Sequence, residues 1–287
     1  MQDLLALQQE AWMLRKRNFP NSIQFDYPEG TKVVSLTGSS CELQCAHCGG
    51  HYLKNMIPAL DYFNNSPKQG KSVLISGGCN SDGTVPLKEH WKYIASEKQR
   101  KKVNLHTGLI SEMEAAQISE IADVISFDYL GDNETIKEVY GLNATVADYR
   151  ASYNNLSRQV KVLPHICIGI RSGELSGEFN ALKMLKEDGA CGIVFIVFTP
   201  TKNTKFQDKS PPKLEEVGKV IATARKMFPD IPIHLGCMRP RGRYRAELDL
   251  LALKCGVNKI VMPTKAVVEA AEAEGLTITK GEECCVL

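Results

Sequence analysis

Cys41, Cys45 and Cys48 stand four and three residues apart in the stretch CELQCAHCGG. Three thiols at that spacing in one loop can wrap one face of a metal cluster. The competing readings are a structural zinc site or three buried apolar thiols. Zinc normally wants a second ligand pair at short spacing, and no further CxxC follows. A [4Fe–4S] cluster normally takes four thiolates, so three protein donors leave one iron open for an incoming ligand. Further along, Ser76-Gly77-Gly78-Cys79-Asn80 offers a glycine pair with nothing on Cα to obstruct a ligand, or else a plain strand-end turn.

These residues need strands to position them. Eight β-rich runs, at 32–36, 72–75, 103–106, 124–127, 160–168, 192–198, 231–235 and 259–262, are apolar with little alternation. That is how strands of a parallel sheet read when both faces are covered. Helix-length segments at 89–98, 111–122, 179–187, 213–227, 244–254 and 266–274 lie between them, and Leu214, Val217, Val220 and Ile221 mark one core face. Eight alternations over about 250 residues predict an α/β fold, a complete (β/α)8 barrel of TIM type, with an open doubly wound sheet as the competitor. Residues 1–30 form an N-terminal helical extension, 31–280 the barrel, and 281–287 a cysteine-containing tail; 64–70 reads as an ordinary loop. The three-cysteine loop follows the first predicted strand. Cys79, Cys167 and Cys237 follow or end others, at the mouth where barrel enzymes keep their chemistry. Cys191 and Cys255 fall away from that rim and read as small buried residues.

The composition narrows the class. The 287 residues carry 35 basic and 33 acidic side chains, a formal charge of +2, which gives no general reason to bind nucleic acid or an anionic membrane. No apolar run approaches a bilayer span, and the N-terminal segment lacks the apolar region of a signal peptide. With 10 cysteines and no sign of secretion, metal or redox chemistry in a reducing cytoplasm is expected rather than disulfides.

The CxxxCxxC loop after a first barrel strand resembles that of the radical S-adenosylmethionine (SAM) superfamily. The resemblance implies that Cys41, Cys45 and Cys48 hold a [4Fe–4S] cluster and that the amino and carboxylate groups of SAM chelate its open iron. Cleavage of the sulfonium by the reduced cluster would then give a 5′-deoxyadenosyl radical that takes a substrate hydrogen. His47 stands where the family usually has an aromatic residue and would stack on adenine. Gly77 and Gly78 match the segment that meets the methionine amino group. The stretch Cys167–Glu174, with Arg171 and Glu174, looks loosely like the strand that contacts adenine and ribose, a strand-to-helix turn being the alternative.

Cys79 and Cys167 fall where biotin synthases place ligands of a second, sacrificial cluster; Cys237 is additional, and no cysteine stands near the third strand. The similarity implies an auxiliary cluster on Cys79, Cys167 and Cys237, against three independent buried thiols. Cys48–Leu53, Phe127–Asp132 and Arg239–Arg245 resemble the two-protein lipoyl synthase. That resemblance implies sulfur insertion into the octanoyl chain of an octanoylated carrier protein or peptide, a second radical SAM subunit and a low-potential electron donor. A mutase or methylase of the same branch is the alternative.

Several candidates keep two readings. Asp128, Tyr129 and Asp132 either meet ribose or substrate, or Asp132 only caps the next helix. His106 is a pocket residue or a satisfied rim histidine. One arginine of the 239–245 run faces a carboxylate or cluster, or all are solvated or hold the carrier. Cys284 and Cys285 fold back over the mouth as ligands or a redox pair, or the tail is unspecialised.

Overall fold

The computed structural model describes residues 2–65 and 70–287, so most of the 64–70 loop lies outside the described residues. The strands are β1 (Ser22–Asp26), β2 (Thr31–Ser35), β3 (Ile57–Pro58), β4 (Ser72–Ser76), β5 (Lys102–His106), β6 (Val124–Asp128), β7 (Lys161–Ile168), β8 (Ile193–Val197), β9 (Ile233–Leu235), β10 (Lys259–Val261) and β11 (Thr277–Gly281). All eight anticipated strands are present, and β1, β3 and β11 join them. Every pairing is parallel, in the order β11-β1-β10-β9-β8-β7-β6-β5-β4-β2-β3.

The complete eight-stranded barrel is therefore corrected to an open parallel half-barrel of 11 strands. The cause lies in β1. It enters the sheet between β10 and β11 and is hydrogen-bonded on both sides, so it does not pair with β2, which follows after one short turn. β2 instead pairs with β4 and β3. The polar–apolar alternation of Ser22-Ile-Gln-Phe-Asp26 is that of a half-covered strand.

The two faces of the sheet differ sharply. Outward-pointing residues such as Val73, Val103, Ile125, Ile166, Phe195 and Leu235 are buried with helix residues in one apolar cluster. The predicted face of the helix Leu214–Met227 is part of it, with Val217, Val220 and Ile221 fully buried. The helix Gln2–Asn18 packs outside against that helix. In-register neighbours of a parallel sheet share a face, and the inward rows read differently. His106 pairs with Ser126, Asp128 with His165, Cys167 with Ile196, and His234 with Lys259. A polar interior does not fill with interlocking aliphatic layers, so the sheet curls around a hollow able to take a polar guest. No helix among the described residues is long and apolar enough to cross a membrane.

Candidate functional site

The three-cysteine loop is clamped to the top of β2 and β4 through main-chain bonds. Leu36 N donates to Ser76 O (2.8 Å), Glu42 N to Cys79 O (2.9 Å), and Gly78 N to Thr37 Oγ1 (2.7 Å). Its far side is held by Ala46 N donating to Val139 O (2.7 Å) and Phe206 N to Ala46 O (3.0 Å). Gly78 is required here for a reason the motif alone does not state. A Cβ on it would lie 2.0 Å from Ser40 O and 2.6 Å from Cys41 Cα, so the two backbones touch. Gly77 has only ordinary contacts, none under 3.4 Å.

Within the loop Cys45 is buried, and Cys41 and Cys48 are half-buried. The Cys45 thiol donates to Cys48. That hydrogen bond is the main cause holding Cys48 well below the usual thiol range and Cys45 well above it, and His47 further favours the Cys48 thiolate. Three thiols on one loop suit a soft, cationic metal centre. Around a single tetrahedral ion with bonds of about 2.3 Å, the sulfurs would be about 3.8 Å apart. Among the described residues no three His, Cys, Asp or Glu side chains converge tightly enough to hold one ion. The donor set on this loop fits a cluster, in which each sulfur binds a different iron. Beside it, His47 Nδ1 is buried without a hydrogen-bond partner, and the ring lies 5.6 Å from that of Tyr140.

The other candidates fall into separate groups. Cys79 lies against the loop. Its thiol is pushed up to about 12 by burial, then by the neighbouring charges of Cys41, Asp128 and Cys48. Asp128 ends β6 on the inward face, exposed to the hollow, and its charge also reaches His106 and Cys167. Burial keeps His106 toward its neutral form and pushes the Cys167 thiol far up. Tyr52, which the sequence reading did not single out as a site residue, stands between the two regions. Its hydroxyl meets Thr201 Oγ1 at 3.3 Å, and the charges of Cys167 and Cys48 raise it further after burial.

Three sequence candidates serve the rim. Asp132 caps the helix that begins at Asn133, accepting from Glu134 N (3.1 Å) and Thr135 N (3.0 Å), which decides in favour of the capping reading. Arg171 pairs with Glu134 (2.9 Å) and Glu138 (2.8 Å), and Glu174 is exposed in the adjoining turn. Tyr129 is buried beneath the mouth, its hydroxyl toward Asp188. The carboxylate that shapes this turn is Glu178, buried and accepting from Gly169 N (2.8 Å) and Ser176 N (2.7 Å); the sequence reading passed over it because it lies inside a helix pattern.

Of the arginine run, Arg239 is fully buried in an ion pair with Asp249 (2.8 Å) and donates to Gly236 O, while Arg243 pairs with Glu247 on the surface. Arg245 donates to Met262 O (3.0 Å). Cys255 is buried as expected, but Cys191 is exposed, which corrects its reading as a buried residue.

Cys237 follows the C-terminal end of β9 and is exposed. Cys284 and Cys285 are half-buried, and burial raises both thiols. The tail that carries them does not cover the mouth, as one reading expected. It enters the opposite end of the hollow, where it meets the first residues of β2, β5, β6 and β10. Cys284 N donates to Thr31 Oγ1 (2.9 Å), Lys102 pairs with Glu283 (2.9 Å), and Lys259 Nζ donates to Leu287 O (3.0 Å). Val286 packs with Val124, Leu163 and Val194.

No family model matches the chain. It is 21% identical over 266 residues to a biotin synthase of Ruthia magnifica subsp. Calyptogena magnifica, covering 88% of this chain and 80% of that protein. Its fold matches methylornithine synthase, PylB (TM-score 0.67, 14% identity, 96% of this chain and 89% of the other). It also matches the FeFe-hydrogenase maturase HydG from Carboxydothermus hydrogenoformans (TM-score 0.71, 12% identity, 95% and 71%). Streptococcus suis SuiB bound to S-adenosylmethionine is a more distant match (TM-score 0.55, 13% identity, 83% and 58%). These likenesses establish the fold.

Proposed function

We propose that the chain is a radical SAM sulfurtransferase that inserts sulfur at an unactivated carbon of a protein-bound octanoyl-lysine. The observation that carries the radical SAM part is the loop of three thiols, locked to the Gly77–Gly78 segment at the head of a polar hollow. A reduced [4Fe–4S] cluster with SAM at its open iron supplies the radical needed to break an unactivated C–H bond. Cys41, Cys45 and Cys48 would hold that cluster. His47, with its unpartnered Nδ1, and the Gly77–Gly78 backbone border the place for SAM. Asp128, exposed to the hollow at the end of β6, is the group we assign to hydroxyls of the nucleoside or to the substrate amide.

The sulfur-inserting part rests on the thiols beyond the three-cysteine loop and on the likeness to a biotin synthase. The proposed partners are an octanoylated lipoyl-carrier protein, a second radical SAM subunit and a low-potential electron donor. The likeness to methylornithine synthase over 96% of the chain favours, as a second reading, a mutase of the same branch using a single cluster.

Anaerobically reconstituted protein should form 5′-deoxyadenosine from SAM and a strong reductant. An octanoyl-lysyl peptide should gain sulfur in step with it when the partner subunit is present. An unmodified peptide alongside continued 5′-deoxyadenosine formation would remove the lipoyl assignment and leave the radical SAM one.

A further inference from the structure

A formal charge of +2 conceals a division of charge around the mouth. Segments 77–90, 107–114 and 128–135, which end or follow β4, β5 and β6, hold seven acidic residues and one lysine. Segments 198–213, 236–245 and 262–265, which follow β8, β9 and β10, hold nine lysines and arginines and one aspartate. Three of these cations are engaged within the fold, Arg239 with Asp249, Arg243 with Glu247 and Lys265 with Glu269. Lys202, Lys205, Lys209 and Arg241 are exposed and form no ion pair among the described residues.

The basic half is one continuous surface, because its loops are tied to each other. Tyr244 Oη donates to Pro212 O (2.7 Å), and Val197 N donates to Met238 O (2.9 Å). Arg239 and Arg245 both donate to Met262 O (3.2 and 3.0 Å). Two large apolar side chains stand exposed on this surface, Met238 at 36% and Met262 at 46%. Met262 has a left-handed backbone, φ 51°, a conformation uncommon for a residue with a side chain. It is held there by its amide, which donates to Asp26 O (2.7 Å), and by the two guanidiniums on its carbonyl. Exposed methionines beside unpaired cations match the composition of a protein-binding patch.

We propose that this basic half of the mouth is the docking surface for an acidic protein domain that presents the substrate to the hollow. The assignment rests on the reading above, in which the substrate arrives on a carrier protein. The acidic half supplies the orientation, since like charge keeps an acidic domain off the β4–β6 side and seats it over β8–β10. A nucleic acid fits less well: a polyanion laid across the mouth would meet the acidic half, and it has no use for the methionines.

The test measures association of the full, anaerobically reconstituted chain with an isolated octanoylated carrier domain of acidic surface, at about 0.05 M and about 0.5 M salt. Association by the parent chain should slow about tenfold at the higher salt. The variant Lys202→Glu/Lys209→Glu/Arg241→Glu should lose about tenfold at low salt and most of the salt response. Its iron content, its 5′-deoxyadenosine formation without the domain and its KM for a short octanoyl-lysyl peptide should match the parent, while its KM for the domain rises. Asp82→Lys/Glu112→Lys should not weaken the domain, and Met238→Ala should speed its dissociation without changing the salt response. Equal association by parent and charge-reversed chains, no association by the parent, or tighter binding of a DNA duplex than of the domain would overturn the surface. Sulfuration of the domain with equal KM by both chains would sink the surface and keep the lipoyl reading. Rim-dependent binding of a domain that gains no sulfur would keep the surface and sink that reading.

Discussion

The two ends of the half-barrel both carry thiols, and they hold them by different means. At the mouth, three cysteines lie on one loop whose shape is set by main-chain hydrogen bonds and by backbone contact at Gly78. At the lower end the thiols sit side by side on the segment 282–287, which is pinned there by side chains from several strands. The first arrangement is rigid before any metal arrives, because its geometry is written into local backbone. The second depends on the tail finding its place, so it is the end of the molecule most easily uncoupled from the rest.

The largest expected effect falls on a buried ion pair at the mouth end. Arg239 and Asp249 are both fully buried, and Asp249 also accepts from Thr264 N, tying the β9 loop to the end of β10. Asp249→Ala leaves a guanidinium unpaired in the core and should cost about 3–5 kcal/mol in denaturant unfolding. A variant with an unchanged midpoint but an altered cluster spectrum would instead make Arg239 a ligand and draw the arginine run into the chemistry.

Next in size is the glycine pair. Gly78→Ala forces a methyl into Ser40 O and the Cys41 backbone and should destabilise by about 1–3 kcal/mol while abolishing iron binding by the loop. Gly77→Ala meets only ordinary contacts and should cost under about 1 kcal/mol. Unfolding midpoints and iron content of the two variants measure the difference. Equal effects would mean that ligand approach, rather than loop contact, sets the demand for glycine.

This contrast also marks what could be read from sequence. The three-cysteine loop was legible because its information is local: spacing, a preceding strand, following glycines. The eight strands were legible because helices cover their outer faces, and the runs stay apolar. β1 was not, since its alternating, half-covered pattern resembles any edge segment and its partners come from the other end of the chain. Closure of the barrel failed for the same reason, as pairing order is a non-local property. Arg239 offered a cluster ligand or a solvated cation on paper, and only its packing against Asp249 reveals a structural ion pair. The tail residues Cys284 and Cys285 gave no positional signal at all, because nothing in their spacing tells one end of a barrel from the other.

At the lower end the strength of the plug is the open comparison. Val286 packs with Val124, Leu163 and Val194, and trimming it to Ala removes about two methyl groups, worth about 1.6 kcal/mol. Hydrogen exchange of 282–287 should rise in that variant while exchange of the three-cysteine loop stays unchanged. Parallel loosening of the mouth would show that the two ends are mechanically one.

The smallest effect is expected at Lys102, whose ion pair with Glu283 is exposed on the lysine side. Lys102→Ala should cost under about 1 kcal/mol, and raising the salt to about 1 M should erase much of its difference from the parent. Hydrogen exchange of the tail at low and high salt gives the measurement. A tail released as fully by Lys102→Ala as by Val286→Ala would mean that charge rather than apolar packing seats it. Both inner thiols would then be held by a salt-dependent latch, and the lower end would open under ionic conditions that leave the mouth intact.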